Sequence, residues 1–304
     1  MGKIDTKFNR PKGFGEILDL TFSLCKNRFR DFFIILLIFM GPLYLLQALI
    51  RLVSGVGFFR EVGAGGVWYE QILSSFEGTE TMNLGADLGV ILLGIISFFL
   101  FPVASAAILI AVNHIRKNEE YTIGSVIKKA FSRYGGIIAG TLLFALISFG
   151  LIIVPIFILV LLGFTMVLLN PVVGVVLLIL LLIAFFLGIG YLLTRWSFYF
   201  GSVVLGEETP GLSRSWKLTR TRTWTLLGLY IIFILIITVI STTVELSVGL
   251  FLGNSVLLTM IVSLVTIFTT LIFSVGYAVM YLDLKIRHDA DDLKEMIEDY
   301  KVVQ

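Results

Sequence analysis

The sequence predicts an all-α polytopic membrane protein, because apolar residues are in excess, charged residues are scarce and the apolar residues form long runs. Apolar side chains make up 58% of the 304 residues and charged side chains only 14%, whereas soluble domains contain roughly 45–50% and about 25%. The first apolar run, from Phe32 to Ile50, has 19 residues. Since about 20 residues cross the hydrocarbon core as a helix, this run is long enough to span a bilayer.

Six apolar segments are predicted to span the membrane. They are Phe32–Ile50, Leu88–Val112, Gly136–Leu161, Pro171–Thr194, Thr225–Val244 and Ser255–Tyr281. The third and fourth segments come from 61 residues without a charged side chain, between Arg133 and Arg195. One helix at about 1.5 Å per residue would be far too long for that stretch. We therefore predict a tight turn near Gly163–Pro171, with Pro171 in the first turn of the fourth span.

Basic residues lie on alternate connections between the predicted spans. Of the 23 Lys and Arg residues, all except Arg51 and Arg60 fall before the first span or after the second, fourth or sixth. Because positively charged connections stay in the cytoplasm, both termini are predicted to be cytoplasmic. The predicted layout is one transmembrane domain, 1–304. It has a cytoplasmic amphipathic N-terminus (1–31), a six-span bundle (32–281) with an outer loop (51–87), and a cytoplasmic C-terminal helix (282–304).

A short amphipathic segment precedes each predicted pair of spans. The three segments read "FGEILDLTFSLCKNRFRDFF", "TIGSVIKKAFSRYGGII" and "TPGLSRSWKLTRTRTWTLL". In the first, the apolar face consists of Phe14, Ile17, Leu18, Thr21, Leu24 and Cys25 at helical spacing. Amphipathic helices of this kind lie in the membrane interface. We therefore predict three transmembrane hairpins, each preceded by an interfacial elbow helix.

The third of these segments shows signals for the start of a helix. Thr209 is predicted to be the N-cap and Pro210 the first helical residue. The acids Glu207 and Glu208 would then lie at the positive end of the helix dipole. The predicted apolar face of this helix contains Leu212, Trp216 and Thr219.

Three blocks of the chain resemble one bacterial family, the membrane domain of the glycerophosphoryl diester phosphodiesterase type and its stand-alone relatives. The blocks are "RPKGFGEILDLTFSLCKNRFRDFF", "VVLGEETPGLSRSWKLTRTRTW" and "YLDLKIRHDADDLKEMIE". The positions that match the pattern of the family are Glu207 or Glu208, Arg214, Ser215, Leu218, Tyr281, Asp283, Leu284, Asp291, Asp292 and Leu293. Lys285 stands where the family has arginine. The resemblance covers nearly the whole chain and implies a multi-pass protein of the bacterial plasma membrane.

The resemblance does not imply an enzyme. In some relatives the membrane domain is fused to a soluble phosphodiesterase barrel that performs the hydrolysis. A barrel of this kind needs about 250 residues, and the six predicted spans leave none for it. We therefore expect a stand-alone membrane domain without the hydrolytic activity.

The residues show no catalytic constellation, metal site or cofactor motif. Cys25 is the single cysteine, and the two histidines, His114 and His288, are far apart in sequence, so no Cys/His set has metal-ligand spacing. No Ser/His/Asp set, P-loop or dinucleotide-binding glycine pattern occurs. His114 lies near Glu119 and Glu120, but one histidine beside a basic connection is too little for a site. The basic segments flank spans, where anionic lipid accounts for them, so no nucleic-acid partner is expected.

A few polar side chains lie within or at the end of predicted spans. The residues are Gln47, Thr242, Glu245, Thr266 and Thr270. Two interpretations are open: these groups bond to neighbouring helices and to their own backbone, or they line a cavity. Glu245 lies 20 residues after Thr225, about 30 Å along a helix. It is therefore either an interfacial acid or a contributor to ion or proton movement.

From these features we expect a non-catalytic integral membrane protein that acts as a scaffold, assembly partner or membrane-stress factor. Its partners would be membrane lipids and either another membrane protein or an outer-side partner bound through loop 51–87. The alternative is a transporter or lipid-handling protein with a cavity among helices kinked at Pro42, Pro102 and Pro155. An enzyme acting on lipid is a third interpretation, and it would need a carboxylate or histidine pair at membrane depth.

Overall fold

We describe residues 10–59, 84–169 and 171–302 of a computed structural model, without the side chains of 84, 86, 164–169, 171 and 290–302. Every regular element in these residues is an α-helix. The helices are α1 (Phe14–Asn27), α2 (Phe29–Val53), α3 (Leu84–Arg116), α4 (Ile123–Phe131), α5 (Tyr134–Leu169), α6 (Pro171–Ser197), α7 (Tyr199–Leu205), α8 (Leu212–Thr219), α9 (Thr223–Leu252) and α10 (Val256–Val302).

Six stretches of these helices are long and apolar enough to cross a membrane. They lie in α2, α3, α5, α9 and α10 and in the run Val172–Leu205, which covers α6 and α7. Helices that are apolar on every side, as α5 is, are typical of lipid-embedded segments. The prediction of an all-α, multi-pass membrane protein is thus confirmed. Pro42, Pro102 and Pro155 lie inside α2, α3 and α5, as predicted.

The ends of two helices differ from the prediction. The turn expected near Gly163–Pro171 is shorter, because α5 continues through Gly163 to Leu169 and α6 begins at Pro171. Gly163 is a packing position: a Cβ there would lie 2.3 Å from Cδ1 of Leu178, on α6. α10 runs without a break from Val256 to Val302, so the predicted C-terminal helix continues the last predicted span, and the membrane boundary at residue 282 stays a prediction.

The internal contacts divide the chain into two compact units. The first unit is drawn from Met1–Phe14, Ser132–Tyr230 and Met280–Gln304, and the second from Gly15–Phe131 and Ile231–Val279. The single transmembrane domain predicted for residues 1–304 stays a prediction. The part of the predicted outer loop from residue 60 to 83 lies outside the described residues.

In the second unit, α2 packs against α3, and α4 packs against both. The hydroxyl groups of Ser105 and Ser274 lie 3.4 Å apart and join α3 to α10. Arg51, in the last turn of α2, donates from Nη1 to Thr259 Oγ1 at 2.7 Å and to Asn254 Oδ1 at 3.3 Å. Arg51 therefore ties the end of α2 to the start of α10.

In the first unit, α5 packs against α6 and α7, and the short helix α8 packs against α6 and α7. Two glycines make the close approach at the start of α5. A Cβ on Gly136 would lie 3.4 Å from Val203, and one on Gly140 would lie 3.0 Å from the ring of Tyr199. These glycines have G-x-x-x-G spacing, and small residues at such positions let helices approach closely.

The amphipathic helices bury faces close to those predicted. The buried residues of α1 are Ile17, Leu20, Thr21, Leu24 and Cys25. Leu20 therefore replaces Leu18 on the buried face, and Phe14 is 36% exposed. The reason is geometric: residues 17, 20, 21 and 24 form a complete i, i+3, i+4, i+7 stripe.

The start of α8 is not where the sequence predicts it. The helix begins at Leu212, and its N-cap is Gly211 rather than Thr209, without a side-chain cap. Gly211 has φ of +79°, a left-handed conformation that glycine adopts at low cost, and a Cβ would meet the carbonyl oxygen of Tyr199 at 2.6 Å. Pro210 therefore precedes the helix. The buried face of α8 is formed by Ser215, Leu218 and Thr219, and Trp216 is only half-buried.

Candidate functional site

The carboxylate of Glu207 is the centre of a charged cluster in the first unit. Its Oε2 accepts a hydrogen bond from Nε of Arg214 at 2.8 Å and another from the Tyr281 hydroxyl at 2.8 Å. Its Oε1 accepts from the ammonium group of Lys285. The side chain of Glu207 is only 13% exposed, against 29% for Arg214 and 23% for Lys285. One shielded acid thus binds two cations and a phenol.

The surroundings of Glu207 favour its ionised form. Burial alone would raise its pKa, but hydrogen bonds from Lys285 and Tyr281 and the charges of Lys285 and Arg214 outweigh burial, so the pKa lies below its usual value. Burial opposes the charge of Arg214 as well, yet the adjacent Glu207 carboxylate raises the pKa of that guanidinium. Glu207 is therefore an anion at neutral pH.

Asp283 is the centre of a second charged cluster in the same unit and is only 2% exposed. Its Oδ1 accepts the backbone N–H of Lys12 at 2.7 Å, and its Oδ2 accepts Nε of Arg287 at 2.9 Å. Arg222 lies 3.7 Å from Oδ2. The carbonyl of Lys12 in turn accepts from Arg222 at 3.0 Å and from Arg287 at 2.7 Å. This network attaches the main chain of the N-terminal segment to α10.

The two clusters occupy different faces of the same helix. Tyr281 and Lys285 are four residues apart on α10, and so are Asp283 and Arg287, and residues at i and i+4 share a helix face. The first pair contacts the segment between α7 and α8, and the second contacts the N-terminal segment and the start of α9. We call the set of residues that make these contacts the signature clamp: Lys12, Glu207, Arg214, Arg222, Tyr281, Asp283, Lys285 and Arg287.

Two glycines let the chain close around the clamp. The ring of Tyr281 lies so near Gly201 that a Cβ there would be 2.3 Å from Cδ2. Gly206 ends α7 with φ of +72°, and a Cβ there would be 2.0 Å from Nη1 of Arg133. That guanidinium donates to the carbonyl of Val204 at 3.0 Å, one of the free carbonyls at the end of α7. The approach of Tyr281 to Glu207 thus depends on a position that has no side chain.

Ser215 and Leu218 fix α8 against the end of α6. The Ser215 hydroxyl is fully buried, donates to the carbonyl of Arg195 at 2.6 Å and accepts the N–H of Phe198 at 3.1 Å. It therefore satisfies backbone groups at the junction between α6 and α7. Leu218 is 5% exposed and packs in the core of the first unit.

Among the predicted signature residues, Glu207, Arg214 and Tyr281 come together in the first cluster, and Asp283 is the centre of the second. Glu207 pairs with cations, and Glu208 accepts a hydrogen bond from the Ser213 hydroxyl. Both carboxylates bond to side chains, and α8 begins without a side-chain cap. The side chain of Asp292 lies outside the described ones.

The polar residues within the spans are not brought together. No hydrogen bond or ion pair joins any two of Gln47, Thr242, Glu245, Thr266 and Thr270, all of which are described. The Thr266 hydroxyl donates to the carbonyl of Val262 at 2.9 Å on its own helix, Gln47 and Thr270 are half-buried, and Thr242 and Glu245 are exposed. Thr266 therefore follows the first of the two interpretations, in which the hydroxyl is satisfied by its own backbone.

A smaller polar cluster lies in the second unit, around His114. Its Nδ1 is 2.6 Å from Oε2 of Glu119, and its ring stacks on Tyr121. The Tyr121 hydroxyl donates to Asp31 at 3.0 Å, which links the connection between α3 and α4 to the start of α2. Within the described residues, no group of three or more His, Cys, Asp or Glu side chains could hold a metal ion. Cys25 is buried, and burial raises the pKa of its thiol to about 12.

The sequence did not predict four of the clamp residues to be site residues: Lys12, Arg222, Lys285 and Arg287. Lys285 and Arg287 carried a signal, because each follows a signature residue of α10 by four positions. Lys12 carried none, since it contributes its main chain to a partner 271 positions away.

Comparison with known proteins identifies a family whose description gives no function. A family model described as "Domain of unknown function (DUF7847)" matches residues 35–283. No curated protein and no solved structure matches the chain. The family match does not bear on the resemblance to the glycerophosphoryl diester phosphodiesterase membrane domain, which stays a prediction.

Proposed function

This chain belongs to the DUF7847 family, and from that starting point we propose that it is a non-catalytic integral membrane protein that acts as a scaffold, assembly partner or membrane-stress factor. One observation carries the proposal: the charges of its signature blocks bind one another. Both oxygens of Glu207 and both oxygens of Asp283 accept hydrogen bonds from other residues of the signature clamp. Carboxylates used in this way stabilise a fold, whereas a catalytic acid or base must face a substrate.

The proposed topology is three hairpins, each preceded by an interfacial elbow helix, with both termini in the cytoplasm. The distribution of Lys and Arg supports the orientation. The short helices α1, α4 and α8 support the elbows, because each precedes a long apolar helix and buries one face. On this topology the signature clamp lies on the cytoplasmic side of the bacterial plasma membrane.

The proposed partners are membrane lipids together with another membrane protein or an outer-side partner at loop 51–87. The resemblance to the membrane domain of glycerophosphoryl diester phosphodiesterases supports a partner of this kind, because that domain accompanies a separate soluble module in some relatives. The clamp suits a scaffold, since it keeps the N-terminal segment, α8 and the middle of α10 in a fixed arrangement.

A transporter or lipid-handling protein is the second candidate. The prolines inside α2, α3 and α5 favour it, because proline frees a backbone carbonyl and bends a spanning helix. The hydroxyl groups of α10 argue against a polar cavity, since those of Ser263, Thr266 and Thr269 donate to carbonyls of their own helix. A lipid-acting membrane enzyme is the third candidate, and no contact described above favours it.

Crosslinking in intact membranes tests the proposal. The tagged full chain is crosslinked, purified in mild detergent and compared with Glu207→Gln and with Glu208→Gln, a matched change at the neighbouring acid. We expect one partner at fixed stoichiometry with the unmodified chain and with Glu208→Gln. With Glu207→Gln we expect less partner, in proportion to the loss of folded protein.

Two results would contradict the scaffold. One is an unmodified chain that is never crosslinked to another protein in membranes. The other is vesicles containing the purified chain that move a solute or lipid faster than empty vesicles, which would favour the second candidate.

A further inference from the structure

Arg195 is a nearly buried cation without an opposite charge. Its residue is 9% exposed, and no ion pair of the described residues includes it. Nη2 donates to the carbonyl of Trp216 at 2.9 Å, whereas Nε is buried and has no hydrogen-bond partner among those residues. A buried guanidinium with a free donor is costly unless an anion binds to it.

Trp216 stacks on this cation, and further aromatic side chains close to it in sequence indicate its depth in the membrane. The guanidinium carbon of Arg195 lies 3.6 Å from the centre of the Trp216 ring, and Trp216 packs on Trp196 with centroids 5.5 Å apart. Tyr191 packs on Trp224 at 5.3 Å. Tryptophan and tyrosine gather at the level of the lipid headgroups. Arg195 lies 24 residues after Pro171, about 36 Å along α6, which exceeds the roughly 30 Å of the hydrocarbon core.

A second cation shares a helix face with Trp216. Arg220 follows Trp216 by four residues, has helical φ and ψ angles and is exposed. Trp216 and Arg220 therefore share a face of α8 and its last turn. Glu207 forms its ion pair on α8 with Arg214. Glu208 accepts a hydrogen bond from the Ser213 hydroxyl. No ion pair of the described residues includes Arg195 or Arg220, so the two cations and the indole ring lie together without an ion-pair partner there.

We propose that Arg195, Trp216 and Arg220 form a binding site for the phosphodiester of an anionic phospholipid. The stacked guanidinium of Arg195 presents its remaining N–H groups to the phosphate, and arginine suits this ligand because its planar donors match phosphate oxygens. Arg220 supplies the second positive charge, and the tryptophans contact the glycerol and upper acyl region. The site rests on the membrane placement proposed above and names the lipid that the protein would hold.

Native mass spectrometry of the full chain in detergent tests the site. Phosphatidylglycerol is the probe, phosphatidylcholine carries the same phosphodiester without net charge, and inorganic phosphate is the competitor. The variants are Arg195→Gln, Arg195→Lys and Arg220→Gln. Lys128→Gln is the matched control, because it removes an exposed charge from another amphipathic helix, α4.

We expect the unmodified chain to bind phosphatidylglycerol about tenfold more tightly than phosphatidylcholine. Arg220→Gln should weaken that binding about fivefold, the effect of one basic residue at an anionic surface. Arg195→Gln should weaken it tenfold or more, Arg195→Lys should fall between them, and Lys128→Gln should stay within twofold. Arg220 is exposed, so its variant reports on binding even if Arg195→Gln does not fold.

Three outcomes would overturn the site. Equal losses with Arg220→Gln and Lys128→Gln would mean that the whole basic surface attracts lipid. Equal binding of the two lipids would remove the charge preference. Displacement by inorganic phosphate at the same concentration would assign the site to free phosphate. The crosslinking experiment is judged separately from lipid binding. If a partner is recovered but lipid binding is not selective, only the lipid site is contradicted. If lipid binding is selective but no partner is recovered, only the scaffold is contradicted.

Discussion

Replacing Glu207 with glutamine is expected to lower the free energy of unfolding by about 2–3 kcal/mol. Glutamine has nearly the same size, but it carries no charge and places an amide donor where Arg214, Tyr281 and Lys285 all donate. A hydrogen bond to a charged group contributes about 1.5–3 kcal/mol. Arg214 and Lys285 are 29% and 23% exposed, so solvent weakens their ion pairs with Glu207. The expected loss is therefore smaller than the roughly 3–5 kcal/mol lost when a fully buried ion pair is broken.

The same substitution should change the dependence of stability on pH. The usual pKa of this carboxyl is about 4.5, and in the folded protein the pKa is lower. A group with a lowered folded pKa stabilises the protein above its unfolded pKa, and this stabilisation is lost as the pH falls through the folded pKa. The unmodified protein should therefore lose stability below about pH 4.5, and Glu207→Gln should lose less over the same interval.

Unfolding by SDS in mixed micelles, followed by tryptophan fluorescence, measures both effects. Glu208→Gln is the control and should change stability by less than about 0.5 kcal/mol, as surface substitutions usually do. The reasoning is refuted if Glu207→Gln unfolds at the same SDS fraction as the unmodified chain, or if Glu208→Gln is equally destabilising.

Three further predictions follow from the same contacts. Asp283→Asn should lower the free energy of unfolding by about 3 kcal/mol or more, because it leaves Arg287 without its carboxylate. Limited proteolysis should then cut the chain before Gly13, whereas Asp289→Asn, at an exposed position, should leave cleavage unchanged. Gly201→Ala should destabilise the protein by about 1–3 kcal/mol through overpacking against Tyr281, while Gly188→Ala, which meets nothing within 4 Å, should be neutral or slightly stabilising; equal melting temperatures would contradict this. Cys25 should react with maleimide at pH 8 only after unfolding, since burial raises the pKa of its thiol to about 12, and rapid labelling of the folded chain would show that this face of α1 is open.

The class of the protein could be predicted from sequence because hydropathy and helix length are local properties. The end of α5 could not, because a chain that is apolar on both sides of Gly163 shows no signal there. The packing role of Gly163 depends on its contact with Leu178, which lies on the neighbouring helix α6. The start of α8 was misplaced for a similar reason: Thr209 and Pro210 resemble a helix start, but the left-handed Gly211 is what opens the helix.

Part of the candidate site could be predicted from the sequence. The resemblance named Glu207 or Glu208 with Arg214 in one block and Tyr281 with Asp283 in another. The structure joins Glu207, Arg214 and Tyr281 in one cluster. What these residues bind could not be read from their blocks, since the contacts span 74 positions between Glu207 and Tyr281. A contact made through the main chain of Lys12 leaves no mark on the sequence, because any residue except proline offers the same N–H.

A double-mutant cycle between Glu207 and Arg214 tests most directly whether the signature clamp holds the fold rather than a ligand. Glu207→Gln, Arg214→Met and the double variant are compared for the free energy of unfolding and for partner recovered per folded molecule. We predict a coupling energy of about 1 kcal/mol or more, as for residues in direct contact, with unchanged recovery per folded molecule. Additive stabilities, together with fully folded variants that recover no partner, would show instead that these residues bind the partner directly.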